Sequence, residues 1–182
     1  MKKIIAIILT LIVALSFASC KKTTPADTDT NDSMSVQTDG ATDNTAVSDG
    51  VKPAEILEGN FKKAVENGSD KTAEELAAAV IDDERIPYAC MTMPVEEGYL
   101  NGFSEEITGF EEGANFGPVI GTIPFVGYVF KLSADADVDS FMNTLKEKSD
   151  LNWNICTSAD EKVCTSEGTT VFFTMCPASF NQ

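Results

Sequence analysis

The distribution of aromatic residues divides the chain into a part that can fold and a part that cannot. Positions 21–52 contain no Phe, Tyr or Trp and consist mainly of Thr, Asp, Ser, Asn, Gly and Ala. Such a stretch cannot bury enough apolar surface to offset the entropy lost on ordering, so we expect it to stay disordered. The core must come from residues 53–182, and about 130 residues are enough for one core and too few for two.

The N-terminus has the order of a secretory signal. Lys2 and Lys3 precede an apolar run that only Thr10 interrupts, and small residues follow the run. A transmembrane helix is the alternative, but it needs about 20 apolar residues and segment 4–18 is shorter than that. We therefore predict that residues 1–19 are a signal peptide.

The end of this signal, Phe17-Ala18-Ser19-Cys20, resembles the lipobox of bacterial lipoproteins, with Phe17 at the position where leucine is usual. The resemblance implies that Cys20 receives a diacylglycerol and becomes the mature N-terminus. Cleavage by the general signal peptidase is the alternative, and it would leave an unpaired exported thiol. Cysteine parity favours the lipobox, because the chain has five cysteines and removing Cys20 leaves an even set. Two acyl chains anchor stably, so the sequence predicts a lipid-anchored protein on the extracytoplasmic face of the cell membrane, with residues 20–52 as lipidated cysteine and tether.

The mature chain is strongly acidic. Removal of residues 1–19 takes away two of the 13 basic residues and none of the 29 acidic ones, which leaves a net charge of −18. Nucleic acid is a poor partner for such a chain, because a basic face is needed to neutralise phosphates. Aspartates alternate in 27–32 and 135–139 as in an EF-hand loop, but both segments lack its turn glycine and terminal glutamate. We interpret the first as a solvated charge run and the second as the start of a helix.

Hydrophobic periodicity predicts three helices in the domain. The first ends at Asn67, the second follows a capping box at Thr72 and Glu75, and the third follows an aspartate cap at Asp135 or Asp137. Their apolar faces are Leu57, Phe61, Ala64 and Val65, then Leu76, Ala77 and Val80, then Val138, Phe141, Met142 and Leu145.

Stretches rich in Val, Ile, Phe, Tyr and Thr predict the strands of a sheet. Stretch 113–124, which is rich in Gly and Pro, predicts a loop across the edge of that sheet. Two helices followed by strand, helix and hairpin indicate a single α+β domain with a mostly antiparallel sheet of four to five strands and helices packed on one face. The predicted strands are 88–95, 105–110, 125–132, 161–165 and 169–176.

The chain contains no histidine, which removes the commonest catalytic side chain. Ser-His-Asp and Cys-His nucleophiles and most zinc and non-haem iron sites depend on imidazole. A hydrolase with paired carboxylates is the remaining enzymatic alternative, but adjacent acids such as Glu96 and Glu97 point to opposite faces of a strand or are solvated in a loop. We therefore predict a protein that is not an enzyme and has no cofactor.

The four domain cysteines are interpreted as structural, either as disulfides or as buried reduced thiols. The disulfide hypothesis pairs Cys90 with Cys176 and Cys156 with Cys164. The alternative is a Cu(I) or thiol redox site on Cys90 and Cys176, because thiolate and thioether sulfurs select Cu(I). The accompanying thioethers would be Met91, Met93 and Met175, although strand alternation puts Cys90 on the opposite face from Met91 and Met93.

Aromatic residues are the candidates for a binding surface. We single out Tyr99, Phe103, Phe116 and Trp153, because a loop aromatic residue that finds no core marks a partner or ligand surface. Core packing is the alternative for each of them. The hypothesis is a non-catalytic surface lipoprotein that binds a protein, a peptide or a component of the cell envelope.

Four segments of the domain carry a further resemblance: GYLNGF at 98–103, IPFVGYVF at 123–130, WNIC at 153–156 and FTMCP at 173–177. Together they resemble uncharacterised predicted lipoproteins of Clostridia-like Gram-positive bacteria, over about residues 86–180. The resemblance implies a Gram-positive host and carries no assigned activity.

Overall fold

The computed structural model describes residues 52–68 and 70–180. The predicted signal peptide, the lipidation site at Cys20 and the predicted tether up to residue 51 lie outside these ranges. Within them, no helix has the length and apolar character needed to cross a membrane.

Three helices form where the sequence predicts them: α1 Pro53–Glu66, α2 Ala73–Ile81 and α3 Val138–Lys148. The capping box of α2 is present, because Thr72 Oγ1 accepts from Glu75 N at 3.2 Å and Thr72 N donates to Glu75 Oε2 at 2.9 Å. The cap of α3 is Asp137, whose Oδ1 accepts from Ser140 N at 2.9 Å. These caps satisfy backbone N–H groups that the first helical turn leaves without partners.

The strands confirm a small α+β domain with a mostly antiparallel sheet. They are β1 Cys90–Val95, β2 Gly98–Tyr99, β3 Glu106–Ile107, β4 Glu112–Pro118, β5 Val126–Lys131, β6 Glu161–Glu167 and β7 Thr170–Cys176. The main sheet has the order β1-β4-β5-β7-β6, and β2 and β3 form a separate two-stranded sheet. Every strand pairing among the described residues is antiparallel. The predicted strand 105–110 contributes only the two residues of β3.

The helices cover both faces of the sheet, which corrects the prediction of helices on one face. Helices α1 and α2 pack on the face that carries Val129 and Phe172, whereas α3 packs on the face that carries Tyr128 and Phe173. Successive residues of β5 and β7 are buried, and a strand that is apolar at consecutive positions needs cover on both sides.

The prediction of a loop at 113–124 is wrong for its first half, because β4 lies between β1 and β5 in the main sheet. The glycines of this strand are sites of close packing rather than turns. A Cβ on Gly113 would lie 2.8 Å from both Phe110 Cε2 and Val95 Cγ2. Strand glycines of this kind mark a close approach of neighbouring groups, which sequence alone does not distinguish from a turn.

Candidate functional site

Two of the four singled-out aromatic residues belong to the interior. Phe116 is fully buried and stacks on Phe172 beneath α1 and α2, with ring centroids 5.9 Å apart. Phe103 packs against Tyr128 and Phe173 on the α3 face, with centroids at 5.6 and 5.1 Å. Phe116 and Phe103 therefore pack in the cores on opposite faces of the sheet, as expected if they serve packing rather than a binding surface.

The other two lie at the surface in different surroundings. Tyr99 is 76% exposed on the short strand β2, and Trp153 is half-buried in the connection between α3 and β6. Trp153 borders a cavity of about 140 Å³ beside the sheet edge formed by β1, whereas Tyr99 does not line it. The four residues therefore do not form one patch: Trp153 and the buried Phe116 border the cavity, whereas Phe103 and Tyr99 do not line it.

The cavity is assembled from the sheet edge and the loops that surround it. Three strands and three loops contribute residues, so its shape depends on the tertiary fold rather than on one segment. Its principal lining residues are Met91 and Met93 from β1, Asn115 from β4, Val126 from β5, and Asn101 and Trp153 from the loops.

The exposed large apolar side chains lie on the segments that line this cavity. Met91 and Met93 are in the lining, and the others are within two residues of a lining residue along the chain; Ile155, the most exposed, is 98% accessible. Scattered apolar residues are normal on a protein surface, but several on the segments around one cavity make it a candidate binding site. We call this group the apolar rim, and in the described part of the chain it comprises Met91, Met93, Tyr99, Val119, Ile120 and Ile155.

Sequence reasoning missed half of the apolar rim. Val119 and Ile120 stand between Pro118 and Gly121, and Ile155 follows an asparagine in a loop. Large apolar residues within a Gly- or Pro-bounded loop were the available signal, because such a loop lies at the surface and offers no core to bury them.

Hydrogen bonds hold the surrounding loops in place. Asn154 Nδ2 donates to Gly121 O at 2.9 Å and Thr157 Oγ1 donates to Thr122 O at 3.1 Å, which ties the connection between α3 and β6 to the β4–β5 loop. The Tyr128 hydroxyl donates to Asn101 O at 2.8 Å and so fixes a third loop. Burial raises the pKa of Tyr128, so its hydroxyl stays protonated and remains a donor at neutral pH. The cavity is therefore preformed.

The segment that supplies most of the cavity lining is acidic. Segment 86–130 contains six glutamates and no lysine or arginine. The preceding cation, Arg85, is engaged with Asp83 at 2.6 Å, and the following one, Lys131, donates to a backbone carbonyl at 2.7 Å. A ligand of this region meets apolar groups on a segment of net negative charge, which favours a cationic partner.

The strand order is incompatible with the predicted disulfide between Cys90 and Cys176. Both residues pack on the α1–α2 side, but β4 and β5 lie between their strands. Three strand spacings of about 4.8 Å place the two Cα atoms roughly 14 Å apart, whereas a disulfide needs less than about 7 Å. The predicted disulfide between Cys90 and Cys176 is therefore wrong, and the two residues are separate thiols.

The other predicted pair is also present as thiols. Cys156 is exposed in a loop, whereas Cys164 is half-buried and its Sγ lies 3.8 Å from Met142 O of α3. Burial raises the pKa of Cys164 to about 11 and that of Cys176 to about 12. Because the thiolate is the reactive form, both buried thiols are inert near neutral pH.

The sulfur atoms proposed for Cu(I) are divided between the two faces of the sheet. Cys90 packs on the α1–α2 side, whereas Met91 and Met93 line the cavity and Met175 lies in the core beneath α3. Within residues 52–68 and 70–180, no three His, Cys, Asp or Glu residues are grouped so that they could hold a metal ion. The fold therefore does not bring the proposed Cu(I) ligands together at one site.

No family model matches the chain, and neither a curated protein nor a solved structure does. Its function must therefore be inferred from the physical features of the domain. The cavity, the apolar rim and the net negative charge of segment 86–130 are the features that distinguish one part of its surface.

Proposed function

We propose that this protein is a membrane-anchored surface lipoprotein whose domain is a non-catalytic binding module. Its binding site is the cavity with the apolar rim. The observation that carries the proposal is the concentration of exposed large apolar side chains beside one preformed cavity.

The size of the cavity favours a polypeptide ligand. Small-molecule sites measure about 300–1,000 Å³, whereas this cavity measures about 140 Å³ and so suits one or two apolar side chains. The apolar rim extends the contact area beyond the cavity. A protein or peptide that inserts an apolar anchor and covers the rim would bury both, which is the usual arrangement of a hot spot and its surroundings.

The anchoring part of the proposal rests on the charge, apolar run and lipobox-like end of residues 1–20. Cells expressing the chain are grown with an alkyne-bearing fatty acid, and the protein is examined for covalent label. We expect label in the unaltered protein and in Cys156→Ser, which removes an exposed thiol of the domain, and none in Cys20→Ser. Label that persists in Cys20→Ser contradicts anchoring at this residue.

The binding part is tested with the immobilised full-length protein and a displayed library of random peptides. Enriched peptides are then titrated against the protein while the fluorescence of Trp153, the single tryptophan and a neighbour of the cavity, is followed. Met93→Asp places a charge in the lining and should weaken binding at least tenfold, since truncation of a hot-spot residue costs about 2 kcal/mol or more.

The matched control is Ala134→Asp, which adds the same charge at an exposed position between β5 and α3. We expect peptides to bind this variant as they bind the unaltered protein. Equal binding by Met93→Asp, or failure of the library to yield any peptide that depends on Met93, removes the cavity as the binding site.

A further inference from the structure

The outer edge of β1 carries backbone groups that the sheet leaves unpaired. β1 is the first strand in the sheet order, so β4 is its neighbour in the main sheet on one side and the described residues provide no strand on the other. Val119 N donates to Ala89 O at 2.9 Å, which makes residues 89 and 119 a hydrogen-bonded pair.

The direction of every other group on β1 follows from that pair. Hydrogen-bonded and non-hydrogen-bonded pairs alternate along an antiparallel ladder, so Met91 and Met93 turn their backbone groups towards β4. Cys90, Thr92 and Pro94 turn theirs outwards. Proline has no N–H, so the free edge offers two N–H donors and three carbonyl acceptors.

We propose that β1 accepts an extended cationic polypeptide segment of a partner as a sixth strand of the main sheet. This inference rests on the proposed binding function and specifies how the ligand is held. An unpaired edge binds an extended peptide through main-chain hydrogen bonds, while pockets for alternate side chains provide specificity.

Cavities flank β1 on both faces of the sheet. On one face lies the cavity lined by Met91 and Met93. On the other lies an open groove of about 630 Å³ between β1 and α2, lined in part by Ile81, Asp82 and Thr92. Because successive side chains of a strand point to opposite faces, an added strand would place them alternately in the cavity and in the groove.

Charge selects a cationic segment over a second copy of this chain. Asp82 lines the groove and Glu96 directly follows β1, and within residues 52–68 and 70–180 neither forms an ion pair. Two copies paired through β1 would bring together two chains that each carry a net charge of −18 after signal removal. Like charges that meet at an interface oppose it, whereas lysine or arginine on the added strand would meet these carboxylates.

The probe is an acetylated and amidated heptapeptide in which lysine and leucine alternate, titrated into the full-length protein at low salt with Trp153 fluorescence as the readout. A second peptide has the same composition with its leucines grouped at one end. A third is the alternating peptide with N-methyl groups on alternate backbone amides, which removes its donors on one edge. Leucine suits the apolar cavity, and lysine suits the groove with Asp82.

The decisive variant is Thr92→Pro, which removes an outward N–H without removing a hydrogen bond to β4. Its matched control is Thr92→Val, which keeps the N–H and the shape of the side chain. One hydrogen bond contributes about 1 kcal/mol, so we expect about fivefold weaker binding by Thr92→Pro and unchanged binding by Thr92→Val. The N-methylated and grouped peptides should bind at least fivefold more weakly than the alternating one, and added salt should weaken all binding. If Thr92→Pro does not fold, the N-methylated peptide applies the same test to the unaltered protein.

Three results would overturn the inference, and they are distinguishable. Binding that is lost in Met93→Asp but unaffected by Thr92→Pro and by N-methylation shows an apolar anchor without strand addition, and the proposed binding function survives. Absence of any binding that depends on Met93 removes both proposals. A concentration-dependent dimer in sedimentation that Thr92→Pro abolishes, without peptide binding, identifies a second copy of this chain as the occupant of the edge.

Discussion

Gly127→Ala should destabilise the domain, although alanine is normally the better residue in a strand. Gly127 lies on β5 directly opposite Phe116 of β4, and the Phe116 ring covers the space that a Cβ would occupy. Replacing a strand glycine by alanine reduces backbone entropy loss and favours the folded state by roughly 0.5–1 kcal/mol. Overlap with a fully buried ring opposes this gain.

The overlap outweighs the entropy term because Phe116 has little room to move. Its ring stacks on Phe172 with centroids 5.9 Å apart and lies edge-on to Phe125 at 5.9 Å. Overpacking in such a core costs about 1–3 kcal/mol. We expect a net loss of about 1–2 kcal/mol, which lowers the Tm by roughly 4–8 °C for a domain of this size.

Gly59→Ala is the matched control, because a Cβ at this position of α1 would meet no atom within 4 Å. It should raise stability by about 0.5–1 kcal/mol, since glycine is a poor helix residue. Both variants are measured by thermal and urea unfolding, and the double variant with Phe116→Leu should recover part of the loss in Gly127→Ala. A Gly127→Ala protein as stable as the unaltered one would refute the packing argument.

Three further predictions concern ionisation, thiols and a helix cap. Arg85 holds the pKa of Asp83 well below its usual range, so the stabilisation of the folded state by the Asp83 carboxylate is present above about pH 4 and is lost as the pH falls further. Asp83→Asn should remove this acid-dependent part of the unfolding free energy, roughly 1 kcal/mol, so that its Tm falls less steeply at acid pH. Burial raises the pKa of Cys176 to about 12, so the stabilisation from its buried thiol is complete below the ordinary thiol pKa of about 8.5 and declines as the pH rises above that value. The Tm of the unaltered protein should therefore fall more steeply at alkaline pH than the Tm of Cys176→Ala. A thiol reagent at pH 8 should modify the exposed Cys156 first, and this fast phase should be absent in Cys156→Ser. Asp137→Ala removes the cap of α3 and should cost about 1 kcal/mol in urea unfolding.

The helices were predictable because their signals are local. Thr72 and Glu75 form a capping box within four residues, and Asp137 caps α3 through a group three residues away. The turn between β6 and β7 was predictable for the same reason, since Gly168 adopts a positive φ of 60° there. Each of these features depends on residues that are neighbours in the sequence.

The side of the sheet on which α3 packs depends on distant residues. Phe141 and Leu145 identify the apolar face of α3, but a helix with one apolar face fits either side of a sheet. The indication lay in β5 and β7, where consecutive buried residues require cover on both faces. Counting the apolar faces of the strands, as well as those of the helices, would have placed α3 correctly.

The missed strand and the missed cavity both involve the glycines of β4. Gly117 lies between Met91 of β1 and Val126 of β5, and a Cβ at this position would lie 3.1 Å from the Phe125 backbone oxygen. Glycine places no side chain between Met91 and Val126, and all three residues line the cavity. A residue that sequence analysis assigns to a loop is therefore a gap between side chains within a strand. The cavity can be recognised only when the register of β1, β4 and β5 is known, because this register places Gly117 beside the exposed Met91 and near Met93.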